Sequence, residues 1–100
     1  MFVISLTYIR PLDDVDSYLA EHVEYLTKHY GSGHFLASGR KVPRTGGIIL
    51  AQASSREEIE AVIALDPFYR HGLAQYDITE FTPTMTSEAL GFLGEHLTIS

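Results

Sequence analysis

Two titratable side chains stand where the sequence otherwise repeats apolar residues. His22 falls on a stripe formed by Val15, Tyr18, Leu19, Val23, Leu26 and Tyr30, and Asp66 closes a stripe formed by Ile59, Val62, Ile63 and Leu65. Histidine titrates near neutral pH and moves protons well when a carboxylate fixes its tautomer. An aspartate brought against it would make a general acid–base dyad for isomerisation, elimination or hydrolysis of a small organic molecule. Each residue also has a structural reading. A histidine on a helix stripe can be a satisfied, partly buried side chain, and an aspartate before Pro67 can serve as a helix stop, since the residue before proline is pushed from the helical region.

Fewer residues qualify elsewhere. Ser38-Gly39 ends a strand, where a hydroxyl and an uncrowded backbone could meet a ligand, or simply form a turn. Ser38 lacks the Gly-x-Ser-x-Gly context of a nucleophile elbow. Tyr8, Phe35, Phe68 and Tyr69 suit the wall of an apolar pocket as well as they suit a core. His29, His34 and His71 offer neither an i, i+4 histidine pair nor cysteine partners, so no metal is expected. There is no glycine-rich phosphate loop, and no cofactor is expected.

Positioning such groups requires a fold. One hundred residues, 45% apolar and 20% charged, make a single folded domain with a thin core. A domain of this size with an uncovered apolar sheet face usually dimerises. The formal charge of −6 counts against nucleic acid as a partner, because clustered Lys and Arg supply most of that affinity. The one basic cluster, Arg40, Lys41 and Arg44, reads as a solvated hairpin. No cysteine is present, which excludes disulfides and thiolate chemistry. No apolar run approaches the roughly 20 residues of a membrane span, so no membrane is expected and a cytoplasmic location follows by default.

The elements fall in a simple order. Residues 2–9 alternate and are rich in β-branched and aromatic types, and both faces carry apolar residues, which predicts a strand covered twice. Asp13 and Asp14 suit the start of a helix that runs along the His22 stripe to Gly31-Ser32-Gly33. A short strand over 34–40, a turn over 42–47 and an apolar strand over 48–53 read as a hairpin. Ser55-Arg56-Glu57-Glu58 has the spacing of a capping box and opens the second helix, which Asp66-Pro67 ends. Residues 68–73 link it to a last strand over 75–81. Strand, helix, strand, strand, helix, strand is the plan of the split βαβ, ferredoxin-like α+β sandwich with an antiparallel four-stranded sheet. The domain therefore spans 1–81. The extension over 82–100 holds Ala89, Leu90, Phe92 and Leu93 behind Thr86 or Ser87, which predicts a short helix packed on the body or on a partner subunit.

Read together, His22-Val23-x-x-Leu26, Gly33-x-Phe35-Leu36-x-Ser38-Gly39 and Asp66-Pro67-Phe68 with Gly72-Leu73 resemble the YciI-like family over residues 1 to 81. That resemblance implies a dimeric α+β barrel, in which two ferredoxin-like sheets pack face to face as a homodimer. It implies a cleft in which His22 and Asp66 meet as catalytic residues, bordered by Ser38 and Gly39. For some members it implies lyase-type elimination on hydroxylated aromatics. Two positions depart from the family pattern. Many members carry an Arg one turn before the histidine, where this chain has Tyr18, Leu19, Ala20 and Glu21. Many read Gly-Pro where this chain reads Gly39-Arg40, and Arg40 would return a cation from another direction. The substrate-binding set is then Ser38, Gly39, Arg40, Phe68 and Tyr8. A non-catalytic metabolite-binding or interaction module on the same homodimer is the alternative, and haem handling, known in other dimeric α+β barrels, is a third reading.

Overall fold

Alternation in the first strand decides which side of the sheet is buried. Phe2, Ile4 and Leu6 are buried, whereas Val3 and Ser5 are half-buried and Thr7 is exposed. In the computed structural model, which describes residues 1–94, this strand is β1 (Phe2–Tyr8). It is followed by α1 (Leu12–Ser17), α2 (Leu19–Gly31), β2 (Phe35–Arg40), β3 (Gly46–Ala51), α3 (Arg56–Ile63), α4 (Pro67–Arg70) and β4 (Ala74–Glu80), then a 3-10 segment, Glu88–Gly94.

The sheet order is β2-β3-β1-β4, with every neighbouring pair antiparallel. That is the ferredoxin-like sandwich. Its core joins Phe2, Ile4 and Leu6 to Val15, Tyr25, Ile59, Val62 and Ile63 of the helices. Fully burying one such aliphatic or aromatic side chain contributes roughly 1.5–3 kcal/mol. β3 begins at Gly46 for a steric reason, since a Cβ there would lie 1.8 Å from the Leu6 carbonyl oxygen. A bulge between Phe35 and Ala37 resets β2, so that Phe35 stays in the core and Ser38 pairs with Ile49.

Several boundaries differ from those expected of the sequence. The first helix is two: the backbone leaves helical geometry at Tyr18 (φ −111°, ψ 7°). Apolar spacing runs straight through that break. Pro11, whose φ suits a helix entry, precedes α1, and Asp13 and Asp14 lie in its first turn without capping it by side chain. The capping box forms in part. Ser55 Oγ accepts from the Glu58 amide at 3.1 Å, but the Glu58 carboxylate reaches Ser54, accepting from its amide at 2.7 Å and its hydroxyl at 2.8 Å. Residues 67–70 form a helical turn and are not merely a link. Among the described residues no helix covers the second face of β1, since α1, α2, α3 and α4 all add side chains to the core on the other side. Of the C-terminal segment, Phe92 and Leu93 line a groove beside Met1 and Phe81, while residues 95–100 lie outside the described residues. Among the described residues no helix is long and apolar enough to cross a membrane.

Candidate functional site

His22 sits in the first turn of α2, its amide bonded to the Tyr18 carbonyl at 3.0 Å across the break. Asp66 stands between α3 and α4 in extended backbone (φ −68°, ψ 127°), the conformation that the following proline favours. It begins α4: Oδ1 accepts from the Phe68 amide at 3.0 Å, with Pro67 in the first helical position. The expected helix stop is thus the N-cap of the next turn.

The same oxygen also meets the imidazole. His22 Nδ1 lies 2.8 Å from Asp66 Oδ1, and Tyr76 donates to Oδ2 at 2.5 Å. Asp66 is fully buried. Three donors converging on two oxygens compensate a buried carboxylate for the water it has lost. Facing an ionised carboxylate, which only accepts, Nδ1 is the ring nitrogen that donates, and a neutral ring then keeps its lone pair on Nε2. Burial holds the Tyr76 and Tyr25 phenols well above the ordinary tyrosine range, and the Asp66 charge adds to this, so both remain donors. Tyr25 donates elsewhere, to the Val62 carbonyl at 2.8 Å.

Aromatic packing fixes the imidazole plane. The Phe68 ring stacks on His22 with centroids 3.9 Å apart and planes 3° apart, and Tyr8 meets Phe68 edge-on at 6.1 Å. Beside them opens a cavity of about 190 Å³. His22, Tyr8, Phe68, Ser38, Gly39 and Arg40 all line it, together with Leu19, Val23 and Leu26 from α2 and Ile48 and Ile49 from β3. Asp66 is not in the wall. It stands behind His22, reaching the cavity only through the ring. Phe35 is core instead, and Tyr69 is half exposed against Tyr76.

The hairpin cations are not simply solvated. Arg40 lines the cavity, whereas Arg44 pairs with Asp16 of α1 at 2.5 Å and lies 5.9 Å over the Tyr8 ring. Tyr30 and Ser38 share a 2.5 Å hydrogen bond. Among the other histidines, His29 is buried with Nδ1 on the Tyr25 carbonyl, His71 stacks on Tyr18, and His34 bridges Ser32 and Glu58. Among the described residues no group of three His, Asp or Glu side chains converges as a metal site would require.

Sequence reasoning missed Tyr76 and the α2 wall of the cavity. A signal for Tyr76 existed: Ala74, Tyr76 and Ile78 alternate, so Tyr76 had to face the helices.

Residues 1–82 match the model of the YCII-related domain. The chain belongs to the YCII-related family. Among solved structures it is similar to 5-chloro-2-hydroxyhydroquinone dehydrochlorinase from Burkholderia phenoliruptrix, solved with 2,5-dihydroxybenzoquinone, at a TM-score of 0.68 and 20% identity. The match covers 81% of this chain and 93% of that one, and at that identity it speaks for the fold. No curated protein matches the chain.

Proposed function

We propose that this YCII-related protein is a small-molecule enzyme in which His22 is the general acid–base catalyst and Asp66 orients it. The observation that carries the proposal is the 2.8 Å contact between His22 Nδ1 and a fully buried Asp66, made in the wall of a cavity. Nε2 is then the nitrogen available to substrate, since none of the described residues bonds to it. In an elimination Nε2 takes a proton from substrate carbon, the C–H electrons form the new double bond, and the leaving group departs with its bonding pair. Isomerisation and hydrolysis would use the same nitrogen to move a proton between substrate atoms or from water. Asp66 stabilises the imidazolium formed in each case. The bound substrate would rest on Phe68 and Tyr8, with its polar groups toward Ser38, Gly39 and Arg40.

The dehydrochlorinase with the similar fold makes elimination the first chemistry to test. Chloride release from 5-chloro-2-hydroxyhydroquinone would be followed for the wild type and for His22→Gln. Catalysis of this type contributes about 100- to 10,000-fold, and a loss of that order with the fold intact is expected. Equal rates in the two proteins would refute the role.

A homodimer belongs to the same proposal. Val3, Ile48 and Leu50 lie on the sheet face that the helices leave uncovered, and Ile48 is 39% exposed. Packing two such faces would bury an apolar patch that one chain leaves open. Sedimentation should give a dimer, and Ile48→Glu a monomer. A cytoplasmic location also remains part of the proposal, for cell fractionation to test.

A further inference from the structure

We infer that Tyr76 is a positioning residue for the dyad: its hydroxyl anchors the second oxygen of Asp66 and so keeps the first in line with His22 Nδ1. The inference rests on the proposed acid–base role of His22 and extends the site to β4.

The geometry leaves the carboxylate few supports. Asp66 has no contact with solvent, so its oxygens depend on protein donors. Oδ1 is shared by the His22 ring at 2.8 Å and the Phe68 amide at 3.0 Å, while among the described residues Oδ2 has Tyr76 alone, at 2.5 Å. An aspartate χ2 is a broad, weakly restricted torsion. With Oδ2 free, the group can swing about its Phe68 contact and carry Oδ1 out of the imidazole plane. Three elements therefore share one carboxylate: α2 supplies the ring, α4 an amide and β4 a hydroxyl.

Tyr76 is itself held. It pairs with Leu6 in the sheet register, and its ring meets Tyr69 edge-on at 5.6 Å. Its half-buried phenol keeps its proton, as described above, and so remains a donor. Tyr25 provides the internal contrast. It lies 6.1 Å from the His22 ring centroid and is as buried as a core residue, yet its hydroxyl goes to the Val62 carbonyl and bypasses Asp66.

Hydrogen–nitrogen NMR of the imidazole groups tests this without a substrate. Wild-type protein should show a slowly exchanging Nδ1–H signal, assigned to His22 by its loss in His22→Gln. In Tyr76→Phe that proton should exchange with solvent about tenfold faster or more, or the ring should populate both tautomers, with the amide spectrum of the rest of the fold retained. Tyr25→Phe should leave the signal as it is. An unchanged exchange rate in Tyr76→Phe would overturn the inference. If that variant does not fold, the tyrosine hydroxyl protons are read instead: a slowly exchanging signal held on Asp66 should persist in folded Tyr25→Phe, and its absence would overturn the inference. A wild-type ring protonated on Nε2 would instead overturn the acid–base proposal, which keeps the two failures apart.

Discussion

Among the described residues there are two histidine–carboxylate pairs, and they differ in nearly everything but residue type. His22 and Asp66 are 2.8 Å apart, with side chains 12% and 0% exposed; His34 and Glu58 are 3.3 Å apart, at 25% and 40%. Asp66 is fixed by a backbone amide and a half-buried phenol. Glu58 leans on Ser54 at the start of α3, beside a shallow, open hollow. Both carboxylates serve helix starts, so capping does not tell them apart. What does is that one histidine is stacked on Phe68 in the wall of an apolar cavity, and among the described residues nothing bonds to its second nitrogen. The other spends both ring nitrogens, on Ser32 and Glu58. A pair of the right residue types becomes a candidate site only when one partner is immobilised and the other left incomplete.

That contrast can be broken by mutation. Asp66→Ala should have the largest effect, because His22, the Phe68 amide and the Tyr76 hydroxyl lose their acceptor together. A loss of about 3 kcal/mol or more in urea unfolding is expected. Glu58→Ala should cost far less, and equal losses would remove the distinction. Next comes Ser55→Ala, which strips the cap of α3 beneath the exposed pair and should cost about 1 kcal/mol. It should leave the His22 ring signal untouched.

The smallest effect concerns pH. Hydrogen bonds from the Ser54 hydroxyl and then its amide, followed by His34, hold the Glu58 carboxyl below its ordinary value. A carboxyl lowered on folding stabilises above its unfolded value, and that contribution is lost as pH falls through the folded one. The advantage of wild type over Glu58→Gln should therefore be present at pH 7 and shrink as the pH falls below about 4.5. It should also weaken with added salt. An advantage that grew on acidification would contradict the assignment.

The sequence made the order of strands and helices legible, because alternation in β1 and helical spacing around Ile59 reflect one-sided burial. In α2 the expected stripe is offset, since Val23 and Tyr30 are exposed and Tyr25 and His29 are the buried positions. The sequence placed His22 and Asp66 on helical stripes and, through family resemblance, in one cleft. It could not show the break at Tyr18, since apolar positions continue through it and the backbone turns on a local bend. Nor could it show that Asp66 opens a helix, because Asp-Pro reads equally as an end. The cavity wall was illegible for another reason. Val23 is half exposed and looked like core, and its role depends on β2 and β3 arriving opposite α2. Such meetings are properties of the tertiary fold, which spacing along the chain does not encode.

The central claim is that His22, and not His34, is the working histidine. Its most direct test is kcat/KM for chloride release in wild type, His22→Gln and His34→Gln, with folding checked by circular dichroism. The account predicts a loss of about 100- to 10,000-fold in His22→Gln and near wild-type turnover in His34→Gln. Full activity in a folded His22→Gln would contradict it.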